Sequence, residues 1–317
     1  MVLLPENWEE KVSSTHKKSY YYNTMTKKRQ WNVPSLEVEK NKMEIINFYS
    51  QVGTVKVQMK NFRLFLQSLR ALLINFFGHH IRNVLDIGCG TGNDVKKWNC
   101  TYSGLDNNEK MLEIMKGRYP EVDSILADMT DDNTWMNFRK KFHAVSCFDS
   151  LQYASSDRES LRSAVRGFRR VLEDDGFLFL LVFDEDYPNK NVFEYCKTLG
   201  EKYLRKMNDR EIVEWSLPLN VLQFELENAD FKIEINANLS SLACYMGVQT
   251  PLESPIQLKK LQDIQSIMSN CKVIDGECWH FASSYRFLLC KPKMNKNTIP
   301  EIFDFLRSPW GMDITLR

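Results

Sequence analysis

The stretch Val84-Leu85-Asp86-Ile87-Gly88-Cys89-Gly90-Thr91-Gly92-Asn93-Asp94 decides how the chain is read. An apolar run ends in an acid and then in three alternating glycines, the pattern of a strand that turns sharply into a helix with its backbone open to a ligand. A dinucleotide-binding turn would be spaced G-x-G-x-x-G, with its last glycine at position 93. Position 93 is Asn, so the spacing is G-x-G-x-G.

The flanking sequence repeats a single theme. NVLDIGC, YSGLD, SILAD, HAVSCFDS and GFLFLLVF read as strands, separated by amphipathic segments such as NEKMLEIMKGRY and DRESLRSAVRGFRRVL. In the second of these, Leu161, Val165, Phe168 and Leu172 share one face while Arg158, Arg162, Arg166 and Arg169 share the other. Alternation of this kind predicts an α/β fold, a parallel sheet covered by helices on both faces, with ligands at the carboxyl ends of its strands. Asp86, Asp106 and Asp128 close three successive strands at that end.

These features resemble the class I S-adenosylmethionine-dependent methyltransferases, which have a Rossmann-like, seven-stranded, mostly parallel sheet. The resemblance implies S-adenosylmethionine as cofactor. It assigns close backbone approach to Gly88, Gly90 and Gly92, the ribose hydroxyls to Asp106, the amino-acid end to Asp86 and the adenine amino group to Asp128. Asn61, Met129, Phe148 and Tyr153 complete the implied cofactor contacts. Cys89 reads as a packing residue, and the remaining alternative is a glycine turn in an unrelated Rossmann-like protein.

Several further segments resemble the mRNA cap guanine-N7 methyltransferases. KNFRLFLQSLRALLI is similar to that family's R-N-F-N-N helix at Asn61 and Phe62, and GTGNDVKKW to its G-K-G-G-D-L-x-K-W at Gly92, Asp94, Lys97 and Trp98. SLQYASSDRESLRSAV, EWSLPLNVL and WHFASSYRFLLCKP resemble later segments, in the right order. The resemblance implies that Gln152, Tyr153, Glu214 and Tyr285 form the guanine site, and Phe183, which stands where the family has a proline, is added to it as a stacking face. Glu214 would accept from the base edge, Tyr285 would line the pocket, and Phe183 would stack in place of a missing aromatic near Asp149. No general base and no metal are expected, because guanine N7 loses no proton on methylation. Each residue has a plainer alternative: Glu214 in a surface helix, Tyr285 half-buried in a strand, Tyr153 in the core. Departures from the family are Thr91 where it has lysine, Asn93 for glycine, Gln152 for histidine, and Gln67 at the helix lysine. Phosphate contacts are then assigned to Lys97, Lys60 or Lys56.

The front of the chain reads differently. Residues 4–34, LPENWEEKVSSTHKKSYYYNTMTKKRQWNVP, divide into three short strands around two turn-forming pieces. A core this small depends on aromatic packing, with Trp8, Tyr21 and Pro34 on one face and Tyr20 and Trp31 on the other. Leu4, Pro5, Trp8, Tyr20–Tyr22, Asn23, Thr26, Trp31 and Pro34 resemble a WW domain. That resemblance implies a Tyr20–Trp31 groove for proline-rich peptides in the polyproline conformation. The first loop, with Lys11, Ser13, Ser14, Thr15, Lys17 and Lys18, either holds a phosphate on a Ser-Pro ligand, such as the tail of RNA polymerase II, or is simply solvated.

The expected organisation is a WW domain at 1–36, a linker at 37–55 entering a helix, a methyltransferase domain at 56–293 and a tail at 294–317. With 42 Lys+Arg against 41 Asp+Glu, the net charge of +1 points to no nucleic-acid partner by itself, so capped RNA is inferred from the site. Eight cysteines without a C-x-x-C pair read as reduced thiols. No signal peptide or membrane span is expected, and the location implied is the nucleus, or a cytoplasmic site of transcription for a viral protein. Two other functions stay open: a methyltransferase of the same fold acting on another RNA or a small molecule, and an inactive WW adaptor.

Overall fold

The computed structural model describes residues 4–5, 7–24, 29–52, 60–184, 198–207, 210–240, 242 and 284–294. Lys56 and the 295–317 part of the tail lie outside them. Asn61 and Lys60 fall at the start of a helix for which only the backbone is described there.

Strands β1 (Trp8–Val12), β2 (Ser19–Asn23) and β3 (Arg29–Gln30) form an antiparallel sheet in that order. Trp8, Tyr21 and Pro34 are buried, while Trp31 stays 49% exposed. The two-sided aromatic arrangement is the one expected. Lys11 is not in the first loop: it sits within β1, paired across from Tyr20.

Helix α1 (Leu36–Val52) occupies nearly all of the stretch read as a linker. It packs as well as connects, because Ile45 is buried against Ile212 and Trp215. Helix α2 (Lys60–Phe77) follows and buries Phe65, Leu69, Leu73, Ile74 and Phe77 against the large sheet.

That sheet holds seven strands. β4 (Asn83–Ile87), β5 (Thr101–Asp106), β6 (Asp123–Leu126), β7 (Phe142–Phe148) and β8 (Leu172–Phe183) are parallel. An antiparallel pair, β9 (Lys202–Met207) and β10 (Arg210–Trp215), stands apart as its own two-stranded ribbon. The last strands of the large sheet are β11 (Phe231–Asn238) and β12 (Tyr285–Pro292), and β12 runs antiparallel between β8 and β11. The spatial order is β11-β12-β8-β7-β4-β5-β6. The order reverses direction at β4, between β5 and β7, which is where an open α/β sheet forms its ligand crevice.

Helices α3 (Glu109–Arg118), α4 (Asp132–Asn137), α5 (Arg158–Val171) and α6 (Leu219–Asn228) cover the sheet. Asp157 caps α5 by accepting from the Ser160 amide at 2.8 Å, which starts the helix where the sequence placed it. The expected apolar stripe of α5 is buried. Part of its arginine face is structural: Arg158 and Arg162 hold the buried Glu225 of α6 at 2.6 and 3.1 Å.

Candidate functional site

The site begins at the glycine turn after β4. Gly88, Gly90 and Gly92 have φ of 70°, 53° and 76°, a region side chains other than glycine rarely adopt. Their surroundings differ. A Cβ on Gly88 would strike Ser150 at 2.4 Å and one on Gly92 would strike Met115 at 2.6 Å, so those two permit packing. A Cβ on Gly90 would meet nothing within 4 Å, so here the backbone opens onto space that a ligand can fill.

Asp106 stands beside that space at the end of β5. Its carboxylate accepts from the Gly90 amide at 2.8 Å and the Asn108 amide at 2.9 Å. Burial pushes its carboxyl up, and the backbone N–H bonds act against that. An oriented carboxylate next to open backbone is what a ribose diol requires.

Asp86 is turned inward. It accepts from the Tyr102 hydroxyl at 2.5 Å and the Ser146 hydroxyl at 2.6 Å, tying β4 to its neighbours on both sides. Burial, and then the neighbouring Asp94, push its carboxyl up to about 7. A cationic ligand favours the ionised form and therefore releases a proton on binding. Affinity for S-adenosylmethionine is expected to rise up to about tenfold from pH 6 to pH 8. Calorimetry in buffers of different ionisation enthalpy checks this, and a flat profile with no proton release contradicts it.

Two partly buried cations, Arg70 and Lys42, add to the site without a signal assigned to them from the sequence. Arg70 of α2 reaches Asp94 at 3.3 Å, Asp149 at 3.9 Å and the Phe148 carbonyl at 3.4 Å. Its Nε is buried without a partner among the described residues, a donor suited to an anionic group such as the cofactor carboxylate. Arg70 lies one turn on from Gln67, so α2 does carry a cation on this face. Lys42 of α1 pairs with Asp128 at 3.3 Å, while the Asp128 carboxylate also accepts from Thr130 at 2.8 Å. The Asp128 side chain, 26% exposed, stays at the rim of the crevice.

The other residues expected at the cofactor take different places. Phe148 is buried beneath the Arg70 guanidinium, 5.7 Å from its ring centroid. Met129 is half-buried on the other core and its carbonyl accepts from Trp135 Nε1 at 2.9 Å. Cys89 packs where a Cβ on Gly104 would fall, and burial pushes its thiol well up, which suits packing and not nucleophilic attack. Lys97 is held by Asp94 and donates to the Asn93 carbonyl at 3.0 Å, so its ammonium is directed back at its own turn. At Thr91 the exposed Arg118 of α3 supplies a cation, donating to the hydroxyl at 3.1 Å.

A second group of residues gathers beyond the ends of β7, β8 and β12. Glu214 is fully buried in β10, not in a surface helix. Its carboxylate accepts from the Tyr153 hydroxyl at 2.5 Å and the Tyr203 hydroxyl at 2.8 Å. Tyr49 of α1 extends the chain, its hydroxyl 2.6 Å from that of Tyr153. Phe183 lies edge-on to Tyr203 at 6.2 Å and tilted against Tyr285 at 4.9 Å, because β8 and β12 pair Phe183 with Tyr285 directly. Tyr285 is completely buried, so Tyr49, Tyr153 and Phe183 are the members that present surface. Gln152 is nearby but donates to the Asp149 carbonyl at 3.1 Å. Glu214, Tyr153, Phe183 and Tyr285 thus come together as the sequence suggested, and Tyr49 and Tyr203 join them.

Comparison with known proteins agrees with this anatomy. A family model for a methyltransferase domain matches residues 84–176, and one for the WW domain matches residues 4–34. The mRNA cap guanine-N(7) methyltransferase 2 of Arabidopsis thaliana is 25% identical over 198 residues, 54% of this chain and 55% of that protein. A peptidyl-prolyl cis-trans isomerase, pin1, of Rhizopus delemar is 50% identical over 36 residues, 11% of this chain and 24% of that protein. The chain therefore spans about half the length of one of these relatives and a quarter of the other. A solved structure from Pyrococcus horikoshii OT3 shares the fold, with TM-score 0.50 at 15% identity over 78% of this chain and 99% of that one.

The chain carries a methyltransferase domain with the fold of the class I S-adenosylmethionine-dependent methyltransferases. It is preceded by a WW domain.

Proposed function

We propose that the chain is an mRNA cap guanine-N7 methyltransferase whose WW domain binds a proline-containing ligand, such as a phosphorylated Ser-Pro repeat of the RNA polymerase II tail. The observation that carries this reading is the buried Glu214 carboxylate, fixed by two tyrosine hydroxyls beside the Phe183–Tyr285 pair at the strand ends next to the glycine turn. The 25% identity to a plant cap methyltransferase supports the same substrate.

Guanine presents two adjacent donors, N1–H and the N2 amino group, which match a carboxylate. Phe183 offers a face for the purine ring. Bound S-adenosylmethionine supplies the methyl group, whose bond to sulfur breaks as the bond to N7 forms, with the electron pair left on sulfur. No proton leaves guanine, so the protein needs only to hold N7 in line, exclude water and favour the positive charge that develops on the base. Glu214 does the last of these through its charge.

Phosphate contacts on this reading fall to exposed cations at the rim, with Arg118 the one placed at the glycine turn. A nuclear location, or a cytoplasmic site of transcription for a viral protein, follows from the substrate. The WW domain would raise the local concentration of enzyme where transcripts are short.

The test is transfer of labelled methyl to GpppG- and GpppA-ended RNA. Phe183→Ala is expected to raise KM for capped RNA about tenfold with little change in kcat, the size of one lost base–aromatic stack. Wild-type KM in that variant removes Phe183 from the guanine site.

A further inference from the structure

Register places six side chains of the WW sheet on one face. Glu9 pairs with Tyr22 and Lys11 with Tyr20, and Tyr22 pairs in turn with Arg29. Directly opposed residues share a face and alternate residues along a strand repeat it, so Glu9, Lys11, Tyr20, Tyr22, Arg29 and Trp31 all lie on the side opposite buried Trp8 and Tyr21. One half of this face is the aromatic groove, with Tyr20 and Trp31 at 6.2 Å. The other half is cationic: Lys11 Nζ stands 4.2 Å from the centre of the Tyr22 ring, and the Arg29 guanidinium 5.8 Å from it.

We propose that the WW domain reads an anionic residue, a carboxylate or a phosphorylated side chain, about two residues from its proline, through Lys11 and Arg29 astride Tyr22 and not through the first loop. The inference rests on the proline-peptide reading of the Tyr20–Trp31 groove. Within the loop, the Ser13 hydroxyl is engaged by its own turn, accepting from the His16 amide at 3.1 Å. The His16 ring lies edge-on to Trp31 at 5.2 Å.

Spacing fits a single extended peptide. Tyr20 and Tyr22 are about 6.8 Å apart along the strand. Two residues of polyproline helix advance about 6.2 Å. An anion about two residues from the proline therefore meets Tyr22 and its cations.

Lys11 is paired with Glu9 at 3.1 Å, but both side chains are about half exposed, and such pairs contribute little and exchange readily. Glu9 also favours a peptide over nucleic acid. A fixed carboxylate beside Lys11 tolerates one ligand anion better than a continuous phosphate backbone.

Fluorescence anisotropy on the full chain tests this, using labelled proline peptides that carry Ala, Glu or phosphoserine two residues to either side of the proline. In one direction Glu and phosphoserine are expected to tighten binding about five- to tenfold over Ala, and the gain is expected to shrink with salt. Lys11→Gln with Arg29→Gln is expected to remove the gain while leaving the Ala peptide within about twofold. Retained binding of the Ala peptide shows that the WW sheet of the charge variants is folded, because S-adenosylhomocysteine binding reports only on the other domain. If the gain survives that pair and is lost in Lys17→Gln with Lys18→Gln, the loop reads the charge and the inference is overturned. If Ala, Glu and phosphoserine peptides bind equally, or if an RNA oligonucleotide and not the peptides loses affinity in the Lys11/Arg29 variant, it is overturned as well. If no peptide binds better to the wild type than to Trp31→Ala, the groove reading itself fails.

Discussion

Glu214→Gln is expected to lower kcat/KM for guanosine-capped RNA by about 100-fold or more while S-adenosylhomocysteine affinity stays within about threefold. The change is isosteric, and the Tyr153 and Tyr203 hydroxyls that bond Glu214 at 2.5 and 2.8 Å can each act as donor or acceptor, so the site survives. What changes is the match to guanine. An amide presents one acceptor and one donor to a base edge with two donors, and it removes the negative charge facing a base that becomes positive. Charge-assisted hydrogen bonds contribute about 1.5–3 kcal/mol each, and mispairing one adds a desolvation cost, which together reach the stated factor. Methylation kinetics on capped RNA, paired with calorimetry, separate the two effects. A variant with near-normal kcat/KM would show that Glu214 holds only its tyrosines.

Asp106→Ala is expected to weaken S-adenosylhomocysteine binding by about 100-fold or more. Two losses combine: the acceptors for the ribose hydroxyls, and the bonds from the Gly90 and Asn108 amides that fix the turn. Asp106→Asn separates them, since its remaining carbonyl oxygen still accepts from one amide, and an intermediate loss is expected. Titration calorimetry checks both, with thermal unfolding as the control for a folded chain. Retained affinity in Asp106→Ala would move the ribose elsewhere.

The strands and glycine turn were legible because their signals are local. Apolar runs ending in acids at Asp86, Asp106 and Asp128 mark strand ends whatever lies elsewhere in the chain, and alternate glycines with positive φ mark the turn. Residues that act across long sequence distances were not. Tyr49 meets Tyr153 across 104 positions and Tyr203 meets Glu214 through a two-stranded ribbon, and no pattern in either segment announces the meeting. Glu214 itself lies in a strand where a surface helix was one expectation, because the E-W-S-L-P run shows no clear period and its burial comes from α1 and the ribbon packing on it.

Arg70 left a usable trace: a charge interrupting an apolar helix. Such a residue is either misplaced or matched by buried acids, and Asp94 and Asp149 supply the match. Residues 37–55 read as a linker because their polar and apolar positions are mixed. Helix α1 is amphipathic only with respect to its actual neighbours, with Lys42 on Asp128, Ile45 on Trp215 and Tyr49 on Tyr153. Lys11 lies in β1, about two residues before the loop its sequence context suggests, the usual uncertainty of a strand end, and that difference moves its charge from a loop to the ligand face.

The substrate is decided by the position of the labelled methyl group after incubation of the full chain with S-adenosylmethionine and GpppG-ended RNA. Expected is 7-methylguanosine in the digested cap, with no label on internal bases, and loss of that product in Glu214→Gln. Label on any other atom, or no transfer to the cap from a chain that binds S-adenosylhomocysteine, would contradict the proposed substrate.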